Sequence, residues 1–166
     1  MLKYNWFFFF LLLLITLTGC AENQLEVDTE ESKIVFLEDL SDHDALTVSV
    51  IIKNESTFQS ASFQLKIEFL DDKLQNILDM EEVLIGEDQQ PPNGREVNGQ
   101  VYKVKANQNT EGGGTFNIYE DIAESELREI ISNKEAVKVI LLDEEGNELS
   151  SNFINEFREV EEVQES

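Results

Sequence analysis

The 166-residue chain holds one cysteine, one histidine and one tryptophan, and its 12 lysines and arginines stand against 35 aspartates and glutamates. Each scarcity excludes a class of function. A single cysteine, Cys20, leaves no intrachain disulfide framework, so the fold must rest on an apolar core. A single histidine, His43, means that a Ser-His-Asp triad or a multi-histidine zinc site has only that one residue to be built around. Its neighbours Asp42 and Asp44 mark it as a solvated turn residue. A formal charge of −23 repels nucleic-acid phosphates and anionic headgroups, so neither is an expected partner. No phosphate-binding loop is present either, because Gly112-Gly113-Gly114 lacks the Lys-Ser/Thr that would follow.

What the chain does have begins at its N-terminus. Lys3 precedes an apolar run from Phe7 to Leu17, which is followed by Thr18, Gly19 and Cys20. The run is too short for a bilayer core of about 30 Å, which takes about 20 residues, and has the length of a signal-peptide apolar region. Leu17-Thr18-Gly19-Cys20 resembles the lipobox of a bacterial lipoprotein signal peptide. The resemblance implies cleavage between Gly19 and Cys20, a diacylglyceryl group on the Cys20 thiol, and residence at the extracytoplasmic face of the cell membrane. The alternative is an uncleaved helix from Phe7 through Ala21 with Tyr4, Asn5 and Trp6 at the interface, which also tethers the chain. The weakly basic start departs from the lipoprotein pattern.

Residues 20–33 are polar and acidic without a sustained period, and read as a lipidated, disordered tether. Ile34 to Leu37 reads as a first strand, and Ser41-Asp42-His43-Asp44 as a turn. Leu46, Val48, Val50 and Ile52 then alternate with more polar residues, as do Phe63, Leu65, Ile67 and Phe69. Period-two runs on either side of the polar Asn54-Glu55-Ser56-Thr57 break predict an antiparallel sheet with one buried face. Asp71-Asp72-Lys73 reads as the next turn, and Ile77 to Ile85 as one more strand or a split pair.

The stretch Val48 to Ser56, followed by an alternating strand ending Phe69-Leu70-Asp71, resembles the small immunoglobulin-like FxLYD-type domains of bacterial surface lipoproteins. Pro91-Pro92-Asn93-Gly94 and a strand from Gln100 to Ala106 fit the loop and later strand of such a sandwich. The resemblance covers residues 44–106; Leu70 replaces the usual tyrosine and a glycine is missing after Asp72.

Beyond that point Asn107 to Gly114 reads as a flexible loop, with the three glycines as a hinge or hairpin tip, and Thr115 to Tyr119 as a strand. Ser125 to Ile131 predicts a short helix capped by Ser125 or Asp121, with Leu127, Ile130 and Ile131 on one face. Ala136 to Leu142 is a strongly apolar strand, Asp143 to Asn147 a hairpin turn, and Leu149 to Ser151 and Phe153 to Val160 closing strands. The expected fold is mainly β: an immunoglobulin-like antiparallel β-sandwich over residues 34–160, with one short helix near its C-terminal part and an acidic tail at 161–166.

No catalytic constellation emerges. Asp143-Glu144-Glu145-Gly146-Asn147-Glu148 is a poor calcium loop, since Gly146 comes two places early. No metal or cofactor is therefore expected. Of the aromatic residues, Phe36, Phe63, Phe69, Phe116, Phe153 and Phe157 read as core, whereas Phe58 and Tyr119 are candidates for a partner contact. The expectation is a non-enzymatic, lipid-anchored surface lipoprotein that binds or scaffolds a protein or other envelope component. The alternative is a small ligand- or divalent-cation-binding receptor component that uses its acidic loops.

Overall fold

The computed structural model describes residues 25–40, 43–85, 101–133 and 135–158. The expected signal peptide over residues 1–19, Cys20, Ser41, Asp42, Pro91 to Gly94, Gln100, Val160 and the expected acidic tail lie outside the described residues. The elements, in order, are β1 (Leu25–Leu40), β2 (His43–Asn54), β3 (Gln64–Phe69), α1 (Asp72–Leu78), β4 (Glu82–Leu84), β5 (Gln108–Asn117), α2 (Glu124–Ser132), β6 (Val137–Leu142), β7 (Glu148–Phe153) and β8 (Phe157–Arg158). They form two four-stranded sheets, β5-β2-β1-β8 and β4-β3-β6-β7. All pairs are antiparallel except β1 with β8. Taken as A, B, C, C′, E, F and G, strands β1 to β7 have the order of an immunoglobulin-like sandwich, with β8 added beside β1.

The two alternating runs face each other across the core. Leu46, Val48, Val50 and Ile52 of β2 and Phe63, Leu65, Ile67 and Phe69 at β3 are all fully buried. Contrary to the sequence expectation, β2 and β3 do not share a sheet: residues 55–63 carry the chain from one sheet to the other. Alternation requires a buried face, which either sheet supplies, and does not name the pairing strand. Phe69 and Phe116 meet edge-to-face across the core, with ring centroids 5.4 Å apart.

The disordered tether expected over 20–33 is corrected from Leu25 onward, because Leu25 to Lys33 belongs to β1 and Leu25 and Val27 are buried. A bulge hides this strand from a periodicity reading. Pairing jumps from Asp28 opposite Ile51 to Lys33 opposite Ser49. The intervening residues loop out over Asp28, whose Oδ1 accepts the N–H groups of Glu30 (3.0 Å) and Glu31 (3.2 Å). Ser32 Oγ closes the bulge by accepting the Ile51 N–H at 2.8 Å.

Asp28 also forms an ion pair with Lys53 on β2. The Lys53 ammonium, helped by the two N–H groups and opposed by desolvation, holds the Asp28 carboxyl below its ordinary value. A depressed folded-state value means that this stabilisation is present above the unfolded value of about 4 and is lost as pH falls through the folded one. Stability measured by thermal unfolding is therefore expected to decline below about pH 4. Asp28→Asn keeps the acceptor for the bulge but should flatten that decline; an unchanged acid slope would contradict this.

Five other expectations are corrected. Asp71 and Asp72 begin a helix: Asp71 Oδ1 accepts the N–H groups of Lys73 (2.9 Å) and Leu74 (3.0 Å). Leu74, Ile77 and Leu78, at helical spacing, enter the core. The strand expected over 77–85 therefore shrinks to β4. The predicted helix exists as α2, but its N-cap is Ala123, without a side-chain cap. The glycine run lies inside β5, opposite Val48, Ser49 and Val50 of β2, and is not a loop. The strand expected at 100–106 reduces, among the described residues, to a single bridge between Tyr102 and Phe63.

Candidate functional site

Strand β2 runs the length of the domain and defines two poles. Eleven steps at about 3.4 Å separate its ends by roughly 35 Å. Leu25 pairs with Asn54 at one end, and Leu40 pairs with His43 at the other. The first described residue, five positions after Cys20, thus lies at the Asn54 pole. The candidate contact residues Phe58 and Tyr119 fall at opposite poles and cannot form one surface.

The Asn54 pole is organised by the Asn54 side chain, which is almost wholly buried. Its Nδ2 donates to the carbonyls of Phe58 (2.8 Å), Val104 (2.9 Å) and Lys105 (3.3 Å), and its Oδ1 accepts the Ser56 N–H at 3.0 Å. Ser56 Oγ in turn accepts the Phe58 N–H at 3.1 Å, and the Ser56 carbonyl accepts from Asn107. This ordered loop presents Phe58 with 69% of its surface exposed. Val101, next to the bridged Tyr102, is exposed as well.

An open groove of about 490 Å³ lies at this pole between Gln59 to Ser62, Lys103 and the β6–β7 hairpin. The acidic hairpin is self-contained. Asp143 Oδ1 accepts the N–H groups of Glu145 (2.9 Å) and Asn147 (2.7 Å), and its Oδ2 accepts Asn147 Nδ2 at 2.9 Å. These bonds, the side-chain one foremost, lower the Asp143 carboxyl below its usual range. Gly146, at φ 84°, completes the turn. Among the described residues, no three of His, Cys, Asp or Glu converge to hold a metal ion.

At the far pole, Tyr119 is half exposed and its ring stands 6.4 Å from the exposed His43 imidazole. Its backbone is held from two sides, since Ile118 N–H donates to the Asp44 carbonyl and Tyr119 N–H to the Ile77 carbonyl, both at 2.8 Å. Leu40, the strand partner of His43, is also exposed. The sequence singled out Tyr119 as a contact candidate, marked His43 only as a solvated turn residue, and gave no signal for Leu40, an apolar residue at a hairpin end. Its grouping with Tyr119 depends on β5 lying beside β2, which the sequence does not announce. No helix among the described residues is long and apolar enough to cross a membrane.

No protein-family model matches the chain, and no curated protein matches it. A solved structure with partial likeness is the Pseudomonas fluorescens alkylpurine DNA glycosylase AlkC bound to DNA containing an abasic site analog. The match has 11% identity and a TM-score of 0.36, and covers 87% of this chain. It spans 33% of the glycosylase, about a third of that protein's length. A likeness this slight carries no argument about activity.

Proposed function

We propose that the chain is a lipid-anchored bacterial lipoprotein whose immunoglobulin-like sandwich acts without catalysis, binding or scaffolding another envelope component at the extracytoplasmic face. The observation that carries this reading is Leu17-Thr18-Gly19-Cys20 directly behind the short apolar run. The fold is compatible with it: β1 is described from Leu25, five positions after Cys20, at the Asn54 end of β2, and Tyr119, His43 and Leu40 lie at the opposite end. That outer pole is the partner-contact surface in this reading. The envelope component is taken to be a protein or other macromolecule, and no nucleic acid is involved.

Two acyl chains suffice for a stable anchor at about 0.8 kcal/mol per buried methylene, so the acidic surface need not contribute electrostatic attraction. Cys20→Ser is therefore expected to abolish incorporation of labelled fatty acid and to remove the processed form from the membrane fraction entirely. A Cys20→Ser chain that is still cleaved and still sediments with membranes would refute the lipoprotein assignment.

A further inference from the structure

We infer that the Asn54 pole is a second, non-covalent membrane contact, with Phe58 seated in the headgroup region of the bilayer so that the domain stands upright on its anchor. The inference rests on the lipoprotein reading for the position of the bilayer, and on three features of the fold for the contact.

The first feature is reach. Five peptide units separate Cys20 from Leu25, and at no more than about 3.6 Å each they span at most about 18 Å. Leu25 is paired with Asn54, and Asn54 hydrogen-bonds the Phe58 carbonyl at 2.8 Å. The anchor therefore keeps this pole, whatever the tilt of the domain, within that reach of the lipid. The second feature is the form of the knob. Phe58 is the most exposed of the large apolar residues among those described, yet its loop is braced by Asn54, Ser56 and Asn107. A phenyl ring held out into water on an ordered loop retains its apolar surface for a second phase, and the headgroup–acyl boundary accepts aromatic rings.

The third feature is the charge around it. Glu26, Glu55, Glu144 and Glu145 are exposed at this pole, and Lys103 and Lys105 are exposed beside them. With acids in excess the contact is not electrostatic. It suits a zwitterionic surface, unlike the polybasic patches that select anionic lipid. The two aromatic candidates then have different occupants: Phe58 meets lipid, and Tyr119, roughly 35 Å away along β2, faces outward.

The chain offers a clean probe. Its single tryptophan, Trp6, lies upstream of the cleavage site, so the mature protein has none. Phe58→Trp and Tyr119→Trp therefore each introduce the only indole. Both full-length variants would be produced in a lipidating host, and the mature proteins reconstituted into phosphatidylcholine vesicles carrying lipids brominated near the headgroup. The expected result is a blue-shifted, strongly quenched emission for Phe58→Trp and an aqueous, unquenched emission for Tyr119→Trp. If the protein floats with the vesicles but Phe58→Trp stays aqueous, the lipid contact is wrong while the anchor stands. Equal quenching at both poles would also overturn it. A protein that does not float with the vesicles at all would remove the anchor, and the inference with it.

Discussion

Gly113→Ala is expected to lower the unfolding free energy by roughly 2 to 6 kcal/mol, the largest effect among Gly112, Gly113 and Gly146. Gly113 sits in β5 at φ +139°, a region that L side chains rarely enter, opposite Ser49 of β2. A Cβ built there would lie 1.9 Å from the Val48 carbonyl oxygen. That oxygen is backbone inside a buried ladder, so the overlap can be relieved only by parting β5 from β2. Strain at such a φ costs about 1–3 kcal/mol and overpacking a further 1–3. Since small domains have only about 5–15 kcal/mol in total, the variant should be partly unfolded in mild urea.

Two other glycine substitutions set the scale. Gly112→Ala would place its Cβ 2.9 Å from Leu65 Cδ2 and 3.2 Å from Tyr102 Oη, ends of side chains that can give, and should cost about 1–2 kcal/mol. Gly146→Ala, at φ +84° with open space around it, should cost only about 1 kcal/mol. Urea denaturation followed by circular dichroism would rank the three. A Gly113→Ala variant no less stable than Gly146→Ala would show that the β2–β5 approach is not as close as described.

Asn54→Ala is expected to cost about 3–4 kcal/mol and to release the Phe58 loop. The substitution removes partners from three carbonyls and one N–H around a side chain that is almost wholly buried. An amide carries two hydrogens, so one of the three donations is shared, and the net loss is smaller than four full bonds. Each orphaned buried group still costs about 1–3 kcal/mol unless water enters. Asn54→Asp tests the mechanism. The near-isosteric carboxylate keeps an acceptor for Ser56 but turns a charged oxygen towards the Phe58, Val104 and Lys105 carbonyls. It should be at least as destabilising as alanine near neutral pH, and should recover as acid protonates the carboxyl and restores a donor. Denaturant midpoints at two pH values would decide. An Asp variant as stable as the native chain near neutrality would show that Nδ2 donation does not hold this pole together.

The strands that were legible in the sequence are those whose period was unbroken. Leu46 to Ile52, Phe63 to Phe69 and Val137 to Leu142 each fill one face of a sheet, and alternation or unbroken apolarity follows from burial alone. The first half of β1 was not legible because the Asp28 bulge shifts its register, so Leu25 and Val27 fall out of step with Ile34 and Phe36. The start of α1 was hidden by the double meaning of Asp71-Asp72, which begins a turn as readily as it caps a helix. Of the candidate site, Phe58 was legible as an aromatic in the turn after Asn54 and Tyr119 as one at a strand end. Their separation to opposite poles, and the burial of Asn54 beneath one of them, were not visible.

By itself, the sequence determined that this is a β-rich domain with a strongly acidic surface and no intrachain disulfide, and it supplied the resemblance of Leu17 to Cys20 to a lipobox on which the proposal rests. Composition and short-range period suffice for those statements because charge, cysteine number and one-sided burial are local properties. The tertiary structure alone decided which strands pair, why β5 must carry glycine opposite Ser49, and which end of the domain adjoins the residues after Cys20. Those depend on contacts between residues far apart in the chain: Leu25 with Asn54, Gly113 with Ser49, Tyr119 with His43. No local pattern records such partners, because the same alternation satisfies the core from either sheet.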